Sequence, residues 1–233
     1  MPNAPEKVAP GVYRVDAVGL KNAISVLLLE NDDGWTLVDT GVAGSVGRIK
    51  DALSALGSGP TDLKRIFITH QHDDHTGGLK GIVEWAPHAE VGATAHEAEV
   101  VSGRRSMDSP SNAFFRRMVG DAQGPGVPVG KILREGDLIS GFRLISTPGH
   151  TPGHASLLRD SDGLLFTADA FGCLPRKIRV GVIKAFCVEP PLARVSAARL
   201  LAEDFDVAVM AHGPVLRTNA RAKLRDAVER CRY

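Results

Sequence analysis

Short apolar runs separated by turn residues recur along the first half of the chain. Residues 11–15 alternate apolar and polar side chains, and residues 23–29 are almost continuously apolar; both patterns are typical of β-strands. The turn at 31–34 connects the second run to another at 35–39, which predicts a β-hairpin. Similar apolar runs predict two further strands, over 65–69 and 90–95. The segments 45–56, 79–85 and 96–101 are predicted to be helices.

Residues 102–130 lose this periodicity. Gly, Pro, Ser and Asp dominate the segment, apart from an apolar and basic stretch at 114–118. A connection of this length is uncommon within a compact domain. We therefore predict either a substrate-facing loop or a mobile crossover, and take the substrate-facing loop as the working interpretation.

A second strand-rich half follows. Strands followed by helices, twice over, predict two similar halves stacked sheet to sheet with helices outside. The predicted fold class is therefore α/β, an αββα sandwich that forms a single domain over residues 1–233. The elements predicted in the second half are strands over 131–133, 137–139, 142–146, 155–159, 164–167 and 207–210, and helices over 192–203 and 216–231.

The stretch 69–78 is the first that suggests chemistry, because it concentrates three histidines and two aspartates between a predicted strand and a pair of glycines. His70 and His72 are two positions apart, so their imidazoles share a face of an extended segment. Asp74 and His75 follow where the chain must turn. Neutral imidazoles and carboxylates are the ligands that first-row divalent metals take. A solvated polar turn is the alternative, but so many histidines at the end of a buried strand favour a metal site.

Three more polar side chains follow predicted strands in the second half: His150, Asp169 and His212. Singly, each has an alternative role as a turn cap or a buried, hydrogen-bonded residue. Together with the first motif, they favour additional metal ligands. Asp39 also ends a strand, and we interpret it as a residue that orients a ligand histidine. His154 is interpreted as a supporting or structural imidazole.

The spacing His-x-His-x-Asp-His resembles the signature of the metallo-β-lactamase superfamily, and the resemblance extends from Asp39 to His212. It implies a four-layer αββα sandwich with two mixed sheets and helices on the outer faces. It also implies two metal ions, expected to be Zn²⁺ with iron or manganese as alternatives. The ligands that the resemblance implies are His70, His72 and His150 for one ion, Asp74, His75 and His212 for the other, and Asp169 for both.

The residue at the bridging position narrows the resemblance. An aspartate at 169, instead of a cysteine, looks like the glyoxalase II and lactonase branches of the superfamily. These branches imply a binuclear zinc hydrolase in which a bridging hydroxide attacks a thioester, ester or lactone. Asp74 is the candidate catalytic residue, because a carboxylate there could orient the hydroxide.

Two other activities remain open from the sequence. A mononuclear iron oxygenase like the persulfide dioxygenases resembles glyoxalase II closely, but the second-site residues His75 and His212 favour the hydrolase. A phosphodiesterase acting on RNA would use the basic residues of the last predicted helix. Acidic residues interleave with them, so a solvated face is the better interpretation.

Charge and cysteine content limit the partners. The formal net charge is +1, so no global field favours nucleic acid or an anionic membrane. No apolar run follows a basic start, and the three cysteines form no CxxC pair, so we expect a cytoplasmic protein. The expected partner is a small-molecule substrate; the oligomeric state is open, with a homodimer as one option.

Two sets of residues are candidates for contacts with the substrate. The alternative role of the first set is to close the core, and that of the second is to form a solvated loop. The candidates are an apolar wall of Phe114, Phe115, Met118, Phe171 and Phe186, and an anion-attracting set of Arg176, Lys177 and Arg179.

Overall fold

A computed structural model of the chain describes residues 4–119, 122–174 and 176–232. The chain divides into two compact units. Unit 1 comprises Met1–Ser106 with Gln123–Leu133, and unit 2 comprises Met107–Ala122 with Arg134–Tyr233. The interpretation of residues 1–233 as a single domain stays a prediction.

Unit 1 is a seven-stranded mixed sheet with helices. The strands follow one another in sequence order across the sheet. The first four pair antiparallel and the last four pair parallel. Its strands are β1 (Glu6–Ala9), β2 (Val12–Asp16), β3 (Ser25–Asn31), β4 (Gly34–Val38), β5 (Leu63–Ile68), β6 (Glu90–Thr94) and β7 (Lys131–Leu133), and its helices are α1 (Val46–Ala55), α2 (Asp73–Thr76), α3 (Leu79–Trp85) and α4 (Ala95–Val101).

The core of unit 1 lies between this sheet and its helices. Helix α1 buries Ile49 and Leu53, four positions apart on one helical face, in the same apolar cluster as Val26 and Leu28 of β3. Val26 and Leu28 lie on one face of the strand because they are two positions apart. This packing fixes the strands whose carboxyl ends carry the polar motif.

Unit 2 contains a five-stranded mixed sheet and a separate hairpin. The sheet order is β14-β11-β10-β9-β8, and β12 pairs with β13. Its strands are β8 (Leu138–Ile139), β9 (Phe142–Ser146), β10 (Ala155–Arg159), β11 (Leu164–Phe166), β12 (Phe171–Cys173), β13 (Ile178–Val180) and β14 (Val207–Val209), and its helices are α5 (Ala113–Val119), α6 (Pro190–Leu200) and α7 (Ala220–Arg230).

Small and branched side chains of the last two helices form the core of unit 2. Ala197 and Leu200 of α6 and Leu224 of α7 join one apolar cluster with Leu165 of β11 and Ala208 of β14. The alanines permit close packing of helix on sheet, so the turns at the strand ends are held on a rigid support.

Most predicted elements are present within a few residues, and the exceptions are short. Residues 131–133 were predicted in the second half, but they form β7, which pairs in parallel with β6 of unit 1. That prediction was wrong because three residues carry too little pattern to show their partner. Helix α7 begins at Ala220 instead of residue 216, since Leu216 forms an isolated bridge with Ala208 and Asn219 is left-handed.

Five further elements were not predicted: β1, α2, α5, β12 and β13. Helix α5 lies inside the 102–130 segment, which therefore has structure of its own. Its predicted role in facing the substrate stays a prediction.

Among the described residues, no helix is both long enough and apolar enough to cross a membrane.

Candidate metal centre

The candidate ligands of unit 1 lie beyond the carboxyl ends of neighbouring parallel strands. His70 and His72 follow β5, and helix α2 then carries Asp74 and His75. Asp39 follows β4, which pairs in parallel with β5. The carboxyl ends of parallel strands meet at one edge of a sheet, where ligands commonly bind. The local fold therefore collects these side chains.

The three imidazoles of this group lie against one another. His70 Nε2 is 3.2 Å from His72 Nδ1, and the ring centroids of His70 and His75 are 4.0 Å apart. In a tetrahedral zinc site with Zn–N distances of about 2.0–2.1 Å, two ligand nitrogens lie about 3.3–3.4 Å apart. The spacing of the His70 and His72 nitrogens therefore fits a shared metal ion.

Asp39 orients two of these imidazoles. His75 Nδ1 donates to Asp39 Oδ2 over 2.8 Å, and the Thr69 hydroxyl donates to the same oxygen over 2.8 Å. Because that bond uses the hydroxyl proton, Thr69 Oγ1 accepts from His70 Nδ1, 3.1 Å away. With Nδ1 occupied in this way, His70 and His75 would both offer Nε2 to a metal ion. This role of Asp39 was expected from the sequence, whereas that of Thr69 was not; the only signal for Thr69 was its position beside His70.

Gly77 and Gly78 let α2 approach the segment after β4. A Cβ at position 77 would clash with backbone atoms of Asp73 and Ala43, and one at position 78 would clash with the Thr40 carbonyl. Both glycines have ordinary negative φ values, so lack of space, and not backbone freedom, requires glycine here. The close approach is to the protein's own backbone, at Asp73, Ala43 and Thr40.

The two aspartates of α2 have different surroundings. The Asp74 carboxylate lies 3.9 Å from His75 Nε2, and 34% of its side chain is exposed. Partial burial and the neighbouring Asp74 carboxylate raise the pKa of Asp73. Asp74 is therefore the carboxylate that lies beside the imidazoles and still reaches solvent.

The candidate ligands of unit 2 come from three separate strands. His150 lies in the turn after β9, Asp169 in the 3-10 turn Ala168–Ala170 after β11, and His212 after β14. Strands β11 and β14 are parallel neighbours, and β9 runs in the same direction because it is separated from β11 by antiparallel β10. The three carboxyl ends therefore lie at one edge of the sheet.

Asp169 links the two histidines of this group. Its Oδ2 lies 3.3 Å from His150 Nε2, and its Oδ1 lies 3.4 Å from His212 Nε2. All three side chains are buried. Each carboxylate oxygen therefore faces a different imidazole.

The turn that carries His150 is fixed by the start of α6. The Val188 amide donates to the His150 carbonyl over 3.0 Å, and the Glu189 amide donates to the Gly149 carbonyl over 2.8 Å. Gly149 has a φ of 120°, and a Cβ there would clash with the backbone of Ala193. Only glycine fits this turn, because both the backbone angle and the space exclude a side chain.

The buried Cys187 thiol contacts the second ring nitrogen of His150, Nδ1. Cys187 Sγ lies 3.5 Å from His150 Nδ1 and 3.6 Å from the Gly181 carbonyl oxygen. Burial, with a smaller effect of the Asp169 charge, raises the pKa of Cys187 to about 12. It therefore remains a thiol at neutral pH, donating to Gly181 and accepting from His150 Nδ1. This contact of Cys187 was not predicted, and nothing in its sequence context suggests it.

His154 supports Asp169 through a buried hydrogen-bond chain. The Ser156 hydroxyl donates to the Thr167 carbonyl over 3.0 Å, so it accepts from the Thr147 hydroxyl at 3.0 Å. Thr147 Oγ1 in turn accepts from His154 Nδ1 at 2.8 Å.

This direction leaves His154 Nε2 as the acceptor of the Asp169 amide, 3.0 Å away. Both nitrogens of His154 are used in holding the protein, which agrees with its predicted supporting role. The signal for the other members of this hydrogen-bond chain was Ser156, a serine inside the apolar strand β10, because a buried hydroxyl needs a hydrogen-bond partner.

The described residues provide seven candidate metal ligands, and no sulfur is among them. Five imidazoles and two carboxylates suit zinc, iron and manganese alike, so the donor set fits a divalent metal without choosing it. The seven are His70, His72, Asp74 and His75 of unit 1 and His150, Asp169 and His212 of unit 2.

The residues predicted to form an apolar wall divide into two sets. Phe171 is fully buried in the core of unit 2. The centroid of the Phe115 ring lies 5.4 Å from that of Phe114 and 4.5 Å from that of Phe186. Phe114 is 69% exposed. The side chain of Met118 lies outside the described part of the chain. Of the members of this set whose side chains are described, the three-ring cluster of Phe114, Phe115 and Phe186 is available to a ligand.

The family model of the metallo-beta-lactamase superfamily matches residues 21–227. This match includes every candidate ligand of both units. The chain belongs to the metallo-β-lactamase superfamily. Membership makes it a metallo-hydrolase by family, with divalent metal binding implied by the fold.

Curated relatives carry several functions. The chain is 28% identical over 218 residues to the uncharacterized protein YobT of Bacillus subtilis, covering 90% of this chain and 91% of YobT. It is 30% identical over 172 residues to an N-acyl homoserine lactonase of Bacillus sp, covering 61% and 62%. It is 32% identical over 155 residues to a hydroxyacylglutathione hydrolase of Rhodopseudomonas palustris, covering 62% and 51%.

A solved structure of this superfamily shows the same fold. A Cronobacter sakazakii metallo-β-lactamase with a HARLDQ motif superposes with a TM-score of 0.72 at 25% identity, covering 98% of this chain and 91% of that one. The predicted α/β fold class, the αββα sandwich with two mixed sheets, is confirmed.

Proposed function

We propose that this superfamily member is a binuclear zinc hydrolase that cleaves a thioester, ester or lactone of a small molecule. In the proposal the two ligand groups complete one centre. The observation that carries it is Asp169, whose two oxygens each face a separate imidazole at 3.3 and 3.4 Å. The assignment of ligands follows the expectation from the sequence: His70, His72 and His150, then Asp74, His75 and His212, with Asp169 shared.

The chemistry needs a nucleophile at neutral pH and oriented ligands. Zinc supplies the first when bound, since it lowers the pKa of water from about 15.7 to about 7. Asp39 and Thr69 keep His70 and His75 in one tautomer. Asp74 is partly exposed beside His75, so its carboxylate can accept a hydrogen bond from the attacking water and orient it toward the substrate carbonyl.

The substrate class draws support from two relatives and from the aromatic cluster. One relative is named a lactonase and the other a hydroxyacylglutathione hydrolase. Phe114, Phe115 and Phe186 offer an apolar surface for an acyl chain. The cysteines are free thiols, which supports a reducing compartment and a cytoplasmic enzyme. The proposal includes no nucleic-acid or membrane partner, and a homodimer remains an option.

A substrate panel with known metal content tests the proposal. Zinc-loaded protein is offered thioesters, lactones, other esters, β-lactams and phosphodiesters, with metal measured per chain. We expect about two zinc ions and hydrolysis of a thioester, ester or lactone. Asp169→Asn should abolish this activity, whereas Asp206→Asn, an exposed aspartate of the same unit, should not.

Three results would overturn the proposal. One iron per chain with oxygen uptake would assign an oxygenase, and hydrolysis of phosphodiesters alone would assign a phosphodiesterase. Full activity of Asp169→Asn would remove the shared carboxylate from the reaction.

A further inference from the structure

A small cavity in unit 2 lies between β13 and the carboxyl end of α7. Its volume is about 190 Å³. Buried Val180 and Ala227 and half-buried Ile178 and Cys231 give it an apolar part. The other lining residues are all basic: Lys177, Arg179, Lys184, Arg230 and Arg232. No acidic side chain is among the described residues that line it.

The basic residues of this cavity differ from four other arginines of unit 2. The guanidinium groups of these four meet carboxylates at 2.6–2.8 Å. The pairs are Arg143 with Asp160 and Glu203, Arg159 with Asp162, Arg199 with Glu135, and Arg221 with Asp204.

Around the cavity the pattern is reversed. Over residues 122–174 and 176–232, no carboxylate lies within ion-pair distance of Lys177, Arg179, Arg230 or Arg232. The Arg179 guanidinium donates to the Leu174 carbonyl, which holds it in place without neutralising it.

Helix geometry explains only part of this charge. The carboxyl end of a helix carries a partial negative charge that favours a cation such as Arg230 in the last turn. It does not account for Lys177 and Arg179, which come from β13 and the segment before it. Cations contributed by separate elements to one concave space, with no carboxylate among them, attract an anion.

The size and chemistry of the cavity select the anion. A volume of 190 Å³ is smaller than the roughly 300 Å³ of an ordinary drug-sized pocket. Arginine forks and lysine ammonium groups suit the several oxygens of a phosphate. We propose that this cavity binds the phosphate group of a small anion. None of its lining residues is a candidate metal ligand, so the site goes beyond the proposed hydrolase centre.

Calorimetric titration of the full chain with inorganic phosphate and with glycerol phosphate tests this site. The double variant Lys177→Gln/Arg230→Gln removes one charge from each wall. The control Arg225→Gln removes charge from an exposed position of the same helix that does not line the cavity. We expect the affinity of the double variant for phosphate to be at least about ten-fold lower than that of wild type, because two charges are lost. High salt should lower the affinity further. The control should bind within about two-fold of wild type.

The metal centre can itself attract phosphate, so each titration is repeated after metal removal. Binding by wild type that survives metal removal and is lost in the double variant supports the cavity. Binding that disappears with the metal and persists in the double variant would overturn the proposal, as would undetectable binding by wild type. Tighter binding of glycerol phosphate than of inorganic phosphate identifies an organic phosphate that contacts the apolar part; equal binding identifies free phosphate.

Circular dichroism of both variants checks that they fold. All three changed side chains are exposed, so we expect native spectra. The result is independent of catalysis: loss of phosphate binding with intact hydrolysis, or the reverse, separates this proposal from the proposed function.

Discussion

The two ligand groups of this protein are built in different ways. In unit 1, four candidate ligands fall within residues 70–75, at the end of β5 and on α2. In unit 2, three ligands follow three strands that are far apart in sequence. The first group is oriented by a side chain, Asp39, which acts on the imidazoles themselves. The second is oriented largely through the backbone, by bonds to His150 and to the Asp169 amide.

This difference predicts different responses to mutation. A side-chain anchor sets the tautomer and direction of a ligand ring, so its loss should reduce metal affinity directly. A backbone anchor sets the path of a turn, so its loss should reduce stability first and metal affinity second.

Removing one ligand from each group should distinguish a terminal ligand from a shared one. His72→Ala and Asp169→Asn should each lower hydrolysis by at least about 10³-fold, more than one lost oxyanion donor costs. His72→Ala should lose about one metal ion per chain, whereas Asp169→Asn should weaken both. Metal analysis and circular dichroism of purified variants measure this, and identical metal contents would contradict the shared role of Asp169.

Removing the side-chain anchor should weaken the metal without removing a ligand. In Asp39→Asn an amide replaces the carboxylate that accepts from His75 Nδ1, so zinc affinity should fall about 10–100-fold. A competition titration with a chelator measures the affinity. The control is Asp32→Asn in the exposed turn between β3 and β4, which should match wild type. Equal affinities of the two variants would show that Asp39 does not orient the ligand.

Breaking the backbone anchor should affect stability more than metal binding. Thr147→Val removes the hydroxyl between His154 and Ser156 and leaves their buried polar atoms unmatched. Unfolding free energy should fall by about 1–3 kcal/mol, while zinc affinity falls less than in Asp39→Asn. Denaturant titration measures the first quantity, with exposed Thr218→Val as control. A larger loss of zinc affinity than of stability would reverse the comparison.

A change remote from both groups gives the baseline. Arg143 pairs with Asp160 and Glu203, both at 2.8 Å, on a partly exposed surface. Arg143→Gln should therefore reduce unfolding free energy by only about 0.2–1 kcal/mol and leave metal content unchanged.

The same pairs predict a pH dependence. The Arg143 hydrogen bond lowers the pKa of Asp160, so its contribution is present above the usual aspartate value of about 3.9 and is lost as the pH falls through the lowered one. The stability difference between wild type and Arg143→Gln should shrink on moving from pH 7 to strongly acidic solution. A difference that grows with acidity would contradict this assignment.

The first ligand group could be found from the sequence because its information is local. An apolar run followed by closely spaced histidines can be recognised without knowledge of the fold. The β3–β4 hairpin could likewise be predicted from its turn. The second group was found only by adding single polar residues at strand ends and a family resemblance. Thr147 and Cys187 were missed, because their partners lie on other elements.

The sequence by itself determined the alternation of strands and helices and the first ligand group, because these depend on neighbours within a few positions. The second ligand group and the family followed from a resemblance that extends from Asp39 to His212. Only the tertiary structure decided that β7 joins the sheet of unit 1, which hydroxyls contact His70 and His154, and which basic residues of unit 2 share a cavity without carboxylates. Those properties depend on contacts between segments that are distant in sequence. The free energy of such contacts is set by both segments together, so neither segment alone predicts it.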